Sequence, residues 1–269
     1  MPTIFNDTKP RTHLVIPDEH YYHGDNYRRC KALGAFIAEH RPDVIIRLGD
    51  MWDMPSLCSY EKGKKEMVFK NVKYDLEAGH KAEEYLFSPL LDLNGKLAKL
   101  KKTLYKPLII KLMGNHEQRV QRLLDYEPKW EGSVSMKDFE TRLPIVEHIV
   151  PYMDYANIDG IYYSHHWASG VQGRPFASAR AMLSKRGVSC TMGHSHSLDH
   201  AVLVKPSGDM IRGLIAGCFQ DPEHKGFGGL QVDNLYWNGI FMKHGVKNGS
   251  YDLEEISVKR LIQNYSQGK

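Results

Sequence analysis

Cysteine is scarce and dispersed: four residues in 269, at positions 30, 58, 190 and 218, with no Cys-x-x-Cys pair. That spacing excludes a disulfide framework and a thiolate zinc site and leaves four reduced thiols. No apolar run approaches the length of a membrane span, and Met1 to Pro10 carries no apolar stretch of the kind that leads a secreted chain. The expected setting is the cytoplasm, without membrane contact. Net charge is only +4, too mild to mark a nucleic-acid binder by itself yet compatible with a phosphate-bearing partner. Internal repeats, low-complexity tracts and linker-like stretches are also missing. With 42% hydrophobic and 25% charged residues, the chain can bury a full core. One domain over residues 1-269 is expected.

What the chain does have is a series of short apolar runs that end in glycine, aspartate, asparagine or histidine. Leu108 to Met113 has the length and β-branched content of an inner strand, and Gly114 permits a sharp exit into Asn115-His116-Glu117. Gln118 to Leu124 reads as the helix that follows. A strand, a tight turn and a helix N-terminus are where α/β proteins commonly bind anions and metals.

Four other runs repeat the design. His13 to Ile16 stops at Pro17 and is followed by Asp18-Glu19-His20. In extended backbone, side chains two apart share a face, so Asp18 and His20 should point together and Glu19 away. An isolated Asp-x-His is ordinarily a solvated acidic turn. After an amphipathic helix over Asp25 to His40, the strand Asp43 to Leu48 ends in Gly49-Asp50-Met51-Trp52-Asp53. Asp50 is either a helix cap or, having two oxygens, a bridge between two cations. Ile158 to Ser164 ends in His165-His166-Trp167, where alternation allows one of the two histidines to serve a given site. Val188 to Met192 ends in Gly193-His194-Ser195-His196, which again puts two imidazoles on one face. Ile211 to Ala216 and Gly226 to Lys243 look like a β-meander, with Leu253 to Val258 as the last strand.

Residues 60-106 break this rhythm with a lysine-rich, partly helical segment, read as a cap or insertion. Its basic surplus either attracts a phosphorylated or nucleic-acid substrate or is simply a solvated helical face. Residues 125-150 read as an irregular cover over the core.

Together the strand ends offer four imidazoles, two carboxylates and an amide carbonyl, a donor set suited to two divalent cations such as manganese, iron or zinc. His116 is left over.

Asp-x-His, Gly-Asp, Gly-Asn-His-Glu, a lone histidine and Gly-His-x-His, in this order from Asp18 to His196, resemble the motifs of the calcineurin-like metallophosphoesterase superfamily. The resemblance implies a four-layer α/β fold, a sandwich of two mixed β-sheets flanked by helices, with a dinuclear site at the strand ends. One metal would take Asp18, His20, Asp50 and His196; the other would take Asp50, Asn115, His165 and His194. His165 is preferred to His166 as the first histidine after its strand. The implied cofactor is a pair of divalent ions, manganese foremost, with iron, zinc or nickel as alternatives. The implied reaction is phosphate-ester hydrolysis by a hydroxide bridging the metals, with His116 as general acid. Asp53 either orients His116 or is a surface residue. Arg119, His166 and His23 are candidate substrate contacts.

One departure bears on substrate: the protein Ser/Thr phosphatase branch has arginine where this chain has Met54. With the basic segment, this favours a phosphodiesterase or nuclease-like activity on nucleotides or nucleic acid. The alternatives are a phosphomonoesterase for a nucleotide or other small ester, and a catalytically idle phosphate-binding module. No motif speaks to oligomeric state.

Overall fold

The computed structural model describes residues 3-59, 63-68, 70-222 and 234-265. Two mixed six-stranded sheets pack face to face between helices. The first sheet runs β12-β11-β2-β3-β4-β5. Its parallel strands are β2 (Arg11–Ile16), β3 (Val44–Arg47), β4 (Leu108–Leu112) and β5 (Glu147–Val150), and the antiparallel hairpin β11 (Gly239–Lys247) and β12 (Ser250–Ser257) completes it. The second runs β1 (Thr3–Phe5), β6 (Ala156–Ile158), β7 (Ile161–Tyr163), β8 (Cys190–Met192), β10 (Met210–Ala216) and β9 (Leu198–Val204).

The apolar runs of the first sheet are nearly continuous because both its faces are covered. Leu14, Ile16, Ile45 and Ile109 turn to α1 (Arg28–His40), α2 (Val72–Lys99) and α5 (Val258–Tyr265), where Leu33, Phe36, Leu86, Phe87 and Leu261 meet them. Val15, Val44, Ile46 and Ile110 turn the other way and pack on Ile158, Tyr163 and Leu214 of the second sheet. The helix α3 (Gln118–Tyr126) follows the turn after β4, and the outer face of the second sheet is covered by α4 (Ala179–Arg186) through Met182 and Leu183.

The lysine-rich segment 60-106 supplies α2, whose apolar side belongs to this core, while Lys73, Lys81, Lys96 and Lys99 are exposed. Pro89 lies within α2 and deprives Tyr85 of its helical N–H partner. There Gly34 of α1 crosses so closely that a Cβ on it would sit 2.7 Å from the Tyr85 and Leu86 carbonyl oxygens.

Some expected elements change. The expected strand over Ile158 to Ser164 is a β6–β7 hairpin turning at Asp159-Gly160, both with positive φ. The 125-150 stretch contains β5, and Val258 begins a helix rather than ending a strand. Residues 226-233 of the expected meander lie outside the described residues. Among the described residues no helix is long and apolar enough to cross a membrane.

Candidate metal centre

Because β2, β3 and β4 are parallel, their C-terminal ends open at one edge of the first sheet, and the ends of β7 and β8 meet them from the second. All seven candidate ligands arrive there. Asp18 and His20 do share a face, but not through extended backbone as the sequence pattern suggests: both have positive φ, 40° and 46°. The chain coils at each, and Glu19 between them turns into the core, accepting Arg47 Nε at 2.8 Å. Asp50, His194 and His196 also have positive φ, so five of the twelve non-glycine residues with positive φ among the described residues are candidate ligands. Backbone strain of this kind costs on the order of 1–3 kcal/mol per residue and gathers at functional sites.

Glycine makes the approach possible. A Cβ on Gly114 would lie 2.0 Å from Asp50 Oδ1, and one on Gly193 would lie 1.9 Å from Asp18 Oδ2. Asp18 accepts the His194 backbone N–H at 2.8 Å and so ties the second sheet's loop to the first sheet's.

The donor atoms fall into two groups. In one, Asp18, His20 and His196 offer atoms within 4.8 Å of one another; the His20 and His196 Nε2 atoms are 3.1 Å apart. In the other, His165 Nε2 faces Asn115 Oδ1 at 3.0 Å and His194 Nδ1 at 3.2 Å, and the latter two stand 2.8 Å apart. Asp50 Oδ2 lies between the groups, 3.4 Å from His165 Nε2 and 3.9 Å from His20 Nε2.

The tautomers leave lone pairs pointing inward. With Nδ1–H of His165 donating to Leu48 O at 2.8 Å and Nδ1–H of His20 donating to Asp53 Oδ1 at 3.2 Å, each Nε2 is an electron-pair donor when its ring is neutral. Converging lone pairs with no hydrogen between them repel, and a cation satisfies them. The residues present therefore fit a pair of divalent metals with Asp50 shared.

Electrostatics agree with a crowded charge centre. Burial resists ionisation of Asp50, but His165 and His116 outweigh it and hold the carboxyl well below its usual range. Burial likewise opposes charging His165, yet with no cation beside it Asp50 raises its pKa to about 10, so a metal ion would take the place of a proton on Nε2. His194, with burial and His165 acting together, falls to about 4.

His116 adjoins this set, its ring offering an atom within 4.8 Å of donor atoms of His20 and Asp50. Its Nδ1–H donates to Asp53 O at 2.6 Å, and its Nε2 accepts Arg119 Nη2 at 2.9 Å. Although Nε2 is 3.9 Å from Asp50 Oδ2, its lone pair is already engaged by the guanidinium. Asp53 is no bystander: its Oδ1 lies 3.2 Å from His20 Nδ1 and 3.3 Å from His116 Nδ1. Arg119 also donates to the Asp53 and Met54 carbonyls at 2.8 and 3.0 Å.

His166 departs from strand alternation. Its ring lies 4.8 Å from that of His194, on the same side as His165, and neither of its nitrogens has a hydrogen-bond partner among the described residues. The chain leaves the extended state after Tyr163, so the period of two no longer applies there. His23 does not join the donor set; it stacks on Tyr74 at the rim.

Glu117 is the residue that motif reading passed over. Buried completely, its carboxylate accepts the backbone N–H groups of Asp50, Trp52 and Gly114 at 3.1, 3.0 and 2.8 Å. The signal was its place directly after Asn115-His116, where an acid can reach back to the neighbouring strand's loop.

No family model matches the chain. It is similar to "Gene 54 protein" of Mycobacterium phage L5, 25% identical over 177 residues, and to "Gene 54 protein" of Mycobacterium phage D29, 24% identical over 186 residues. Each alignment covers 64% of this chain, and the chain spans 64% of each relative's length. One solved structure aligns over 92% of this chain and all of its own at 11% identity, with a TM-score of 0.35, which shows too little likeness to carry an argument.

Proposed function

We propose that this chain is a dinuclear metal-dependent phosphoesterase of the calcineurin-like type, acting on phosphodiesters of nucleotides or nucleic acid. The observation that carries the reading is the position of Asp50 Oδ2 between two donor groups, with an imidazole, His116, beside the same oxygen. A binding module has no use for that imidazole.

In this reading Asp18, His20, Asp50 and His196 hold one divalent ion, and Asp50, Asn115, His165 and His194 hold the other. Two such ions supply water of lowered pKa and positive charge for the phosphoryl oxygens. The chain's own groups do the rest. Asp53 O fixes Nδ1 of His116, which directs Nε2 at the site. For His116 to act as the acid, Arg119 gives up Nε2 to a proton, and the imidazolium then delivers that proton to the leaving oxygen as its bond to phosphorus breaks. Arg119, its guanidinium against that same nitrogen, is placed to meet the phosphate or the departing group. Four unpaired, buried cysteines support a reducing, cytoplasmic setting.

Arg119 also favours a second reading. It supplies a guanidinium beside Met54, the position where the sequence lacks one, and such a clamp suits the extra charge of a monoester. The test is hydrolysis of bis-p-nitrophenyl phosphate against p-nitrophenyl phosphate by metal-stripped protein refilled with manganese. Faster cleavage of the diester is expected. A monoester preference would put the phosphomonoesterase first, and activity on neither with two metals bound would leave only the binding module.

A further inference from the structure

At the rim of the metal centre is an exposed ring pair with no part in the chemistry above. His23 and Tyr74 stack with centroids 4.9 Å apart and planes inclined by 21°. Tyr74 is 49% exposed, and His23 is exposed as well. Neither ring enters the core, so the pair presents flat π-surface to solvent.

Both rings are anchored close to the donor set. His23 follows His20 by three residues, which keeps their Cα atoms within about 11 Å. Tyr74 opens α2, and that end of the helix is fastened to the loop carrying Asp50 and Asp53. Asp75 Oδ2 accepts the Ser56 N–H at 2.9 Å, and Trp52 Nε1 donates to Leu76 O at 3.0 Å. The indole fits only because residue 79 is glycine: a Cβ there would be 1.8 Å from Trp52 Nε1. The platform is thus preorganised relative to the scissile position, and little ordering is needed on binding. Exposed Lys73, next to Tyr74 at the start of α2, adds positive charge beside the platform.

We infer that His23 and Tyr74 form a stacking platform for a nucleobase of a single-stranded nucleic-acid substrate whose phosphodiester lies at the metal centre. Flat exposed aromatic surface with positive charge nearby is how unpaired bases are held, since every base has a π-face and the charge follows the backbone. A duplex keeps its bases stacked inside and out of reach of such rings. What the platform serves rests on the phosphoesterase reading; that it binds bases does not.

The test is fluorescence anisotropy of a labelled phosphorothioate oligothymidylate, whose linkages resist cleavage, with the manganese-loaded full chain. Tyr74→Ala and His23→Ala should each weaken binding between about 5-fold and 150-fold, the range of one base–aromatic stack. Tyr74→Phe should bind like wild type because it keeps the ring, and a thymidylate–adenylate duplex should compete poorly. Unchanged affinity in both alanine variants, a Tyr74→Phe loss equal to that of Tyr74→Ala, or a wild type that binds no oligonucleotide would each overturn the platform. Turnover of bis-p-nitrophenyl phosphate by the wild type is measured beside it and reports on the phosphoesterase reading alone. Ring-dependent binding without that turnover keeps the platform and removes the enzyme; turnover with ring-independent binding does the reverse.

Discussion

Glu117 holds Asp50 without touching its side chain: the Glu117 carboxylate accepts the Asp50 backbone N–H at 3.1 Å while the Asp50 carboxylate accepts the His116 N–H at 2.8 Å. Two loops from neighbouring parallel strands are thereby cross-linked in both directions. The same carboxylate also takes the Trp52 and Gly114 N–H groups.

Glu117→Ala strands three buried donors. At about 1–3 kcal/mol for each orphaned group, the variant should lose at least about 3 kcal/mol of stability and bind metal more weakly, because the Asp50 and Asn115 loops are no longer held together. Glu117→Gln keeps the volume and one good acceptor oxygen and should fall between. Urea midpoints and metal content of the three proteins check this; an alanine variant as stable as wild type would show that water takes over the carboxylate's role.

Gly193 and Gly114 isolate the steric demand of the site, since neither has a positive φ and only space excludes a side chain. Gly193→Ala would force a methyl to 1.9 Å from Asp18 Oδ2, and Gly114→Ala to 2.0 Å from Asp50 Oδ1. Both should displace a donor carboxylate and lower metal occupancy. Gly95 in α2 has nothing within 4 Å of its added Cβ, so Gly95→Ala should instead raise stability by up to about 1 kcal/mol through helix propensity alone. Elemental analysis with thermal unfolding separates the two classes.

The strand ends are legible in the sequence because burial on both faces writes uninterrupted apolar runs such as Val44-Ile45-Ile46, and because glycine marks each exit. All seven candidate ligands converge for that reason. The geometry of convergence is not legible. Alternation along a strand assigns Asp18 and His20 to one face, but it is coiled, positive-φ backbone that brings them there, and where alternation is applied past Tyr163 it sends His166 the wrong way. Short strands suffer most: β1, β5 and the halves of the β6–β7 hairpin have three or four residues each, too few for a period to declare itself. Glu117 is hidden for another reason. Its partners are backbone N–H groups, and no residue type records them.

His13 gives the fold a pH dependence of its own. It is fully buried on β2, with Nε2–H donating to Asp159 Oδ2 at 2.9 Å and Nδ1 accepting from the Tyr163 hydroxyl at 2.9 Å, an arrangement complete for the neutral ring. Burial pushes its pKa down to about 4, outweighing Asp159, whose charge Arg11 already shares. The unfolded chain protonates this histidine near 6.5. Stability is therefore whole above pH 6.5 and declines as pH falls toward about 4, by about 3 kcal/mol at the limit, then levels. Urea midpoints from neutral pH downward should decline more shallowly in His13→Gln. A variant with the wild-type slope would move the titration to another group.

His116 and Asp50 decide between ligand and acid. The His116 lone pair on Nε2 is occupied by Arg119, and its other nitrogen by Asp53 O, so the ring is engaged elsewhere although it stands near His20 and Asp50. His116→Ala should keep both metals and lose about 10²–10⁴-fold in turnover, the usual share of a general acid. Asp50→Ala removes the oxygen that stands 3.9 Å from His20 Nε2 and 3.4 Å from His165 Nε2, and with it the carboxylate between the two groups. It should lose metal and turnover together. Metal analysis alongside steady-state rates distinguishes the cases. If His116→Ala sheds metal, the imidazole is a ligand and Arg119 must leave it when the site fills; if Asp50→Ala keeps two tightly held ions, the carboxylate does not bridge and the two donor groups act as separate sites.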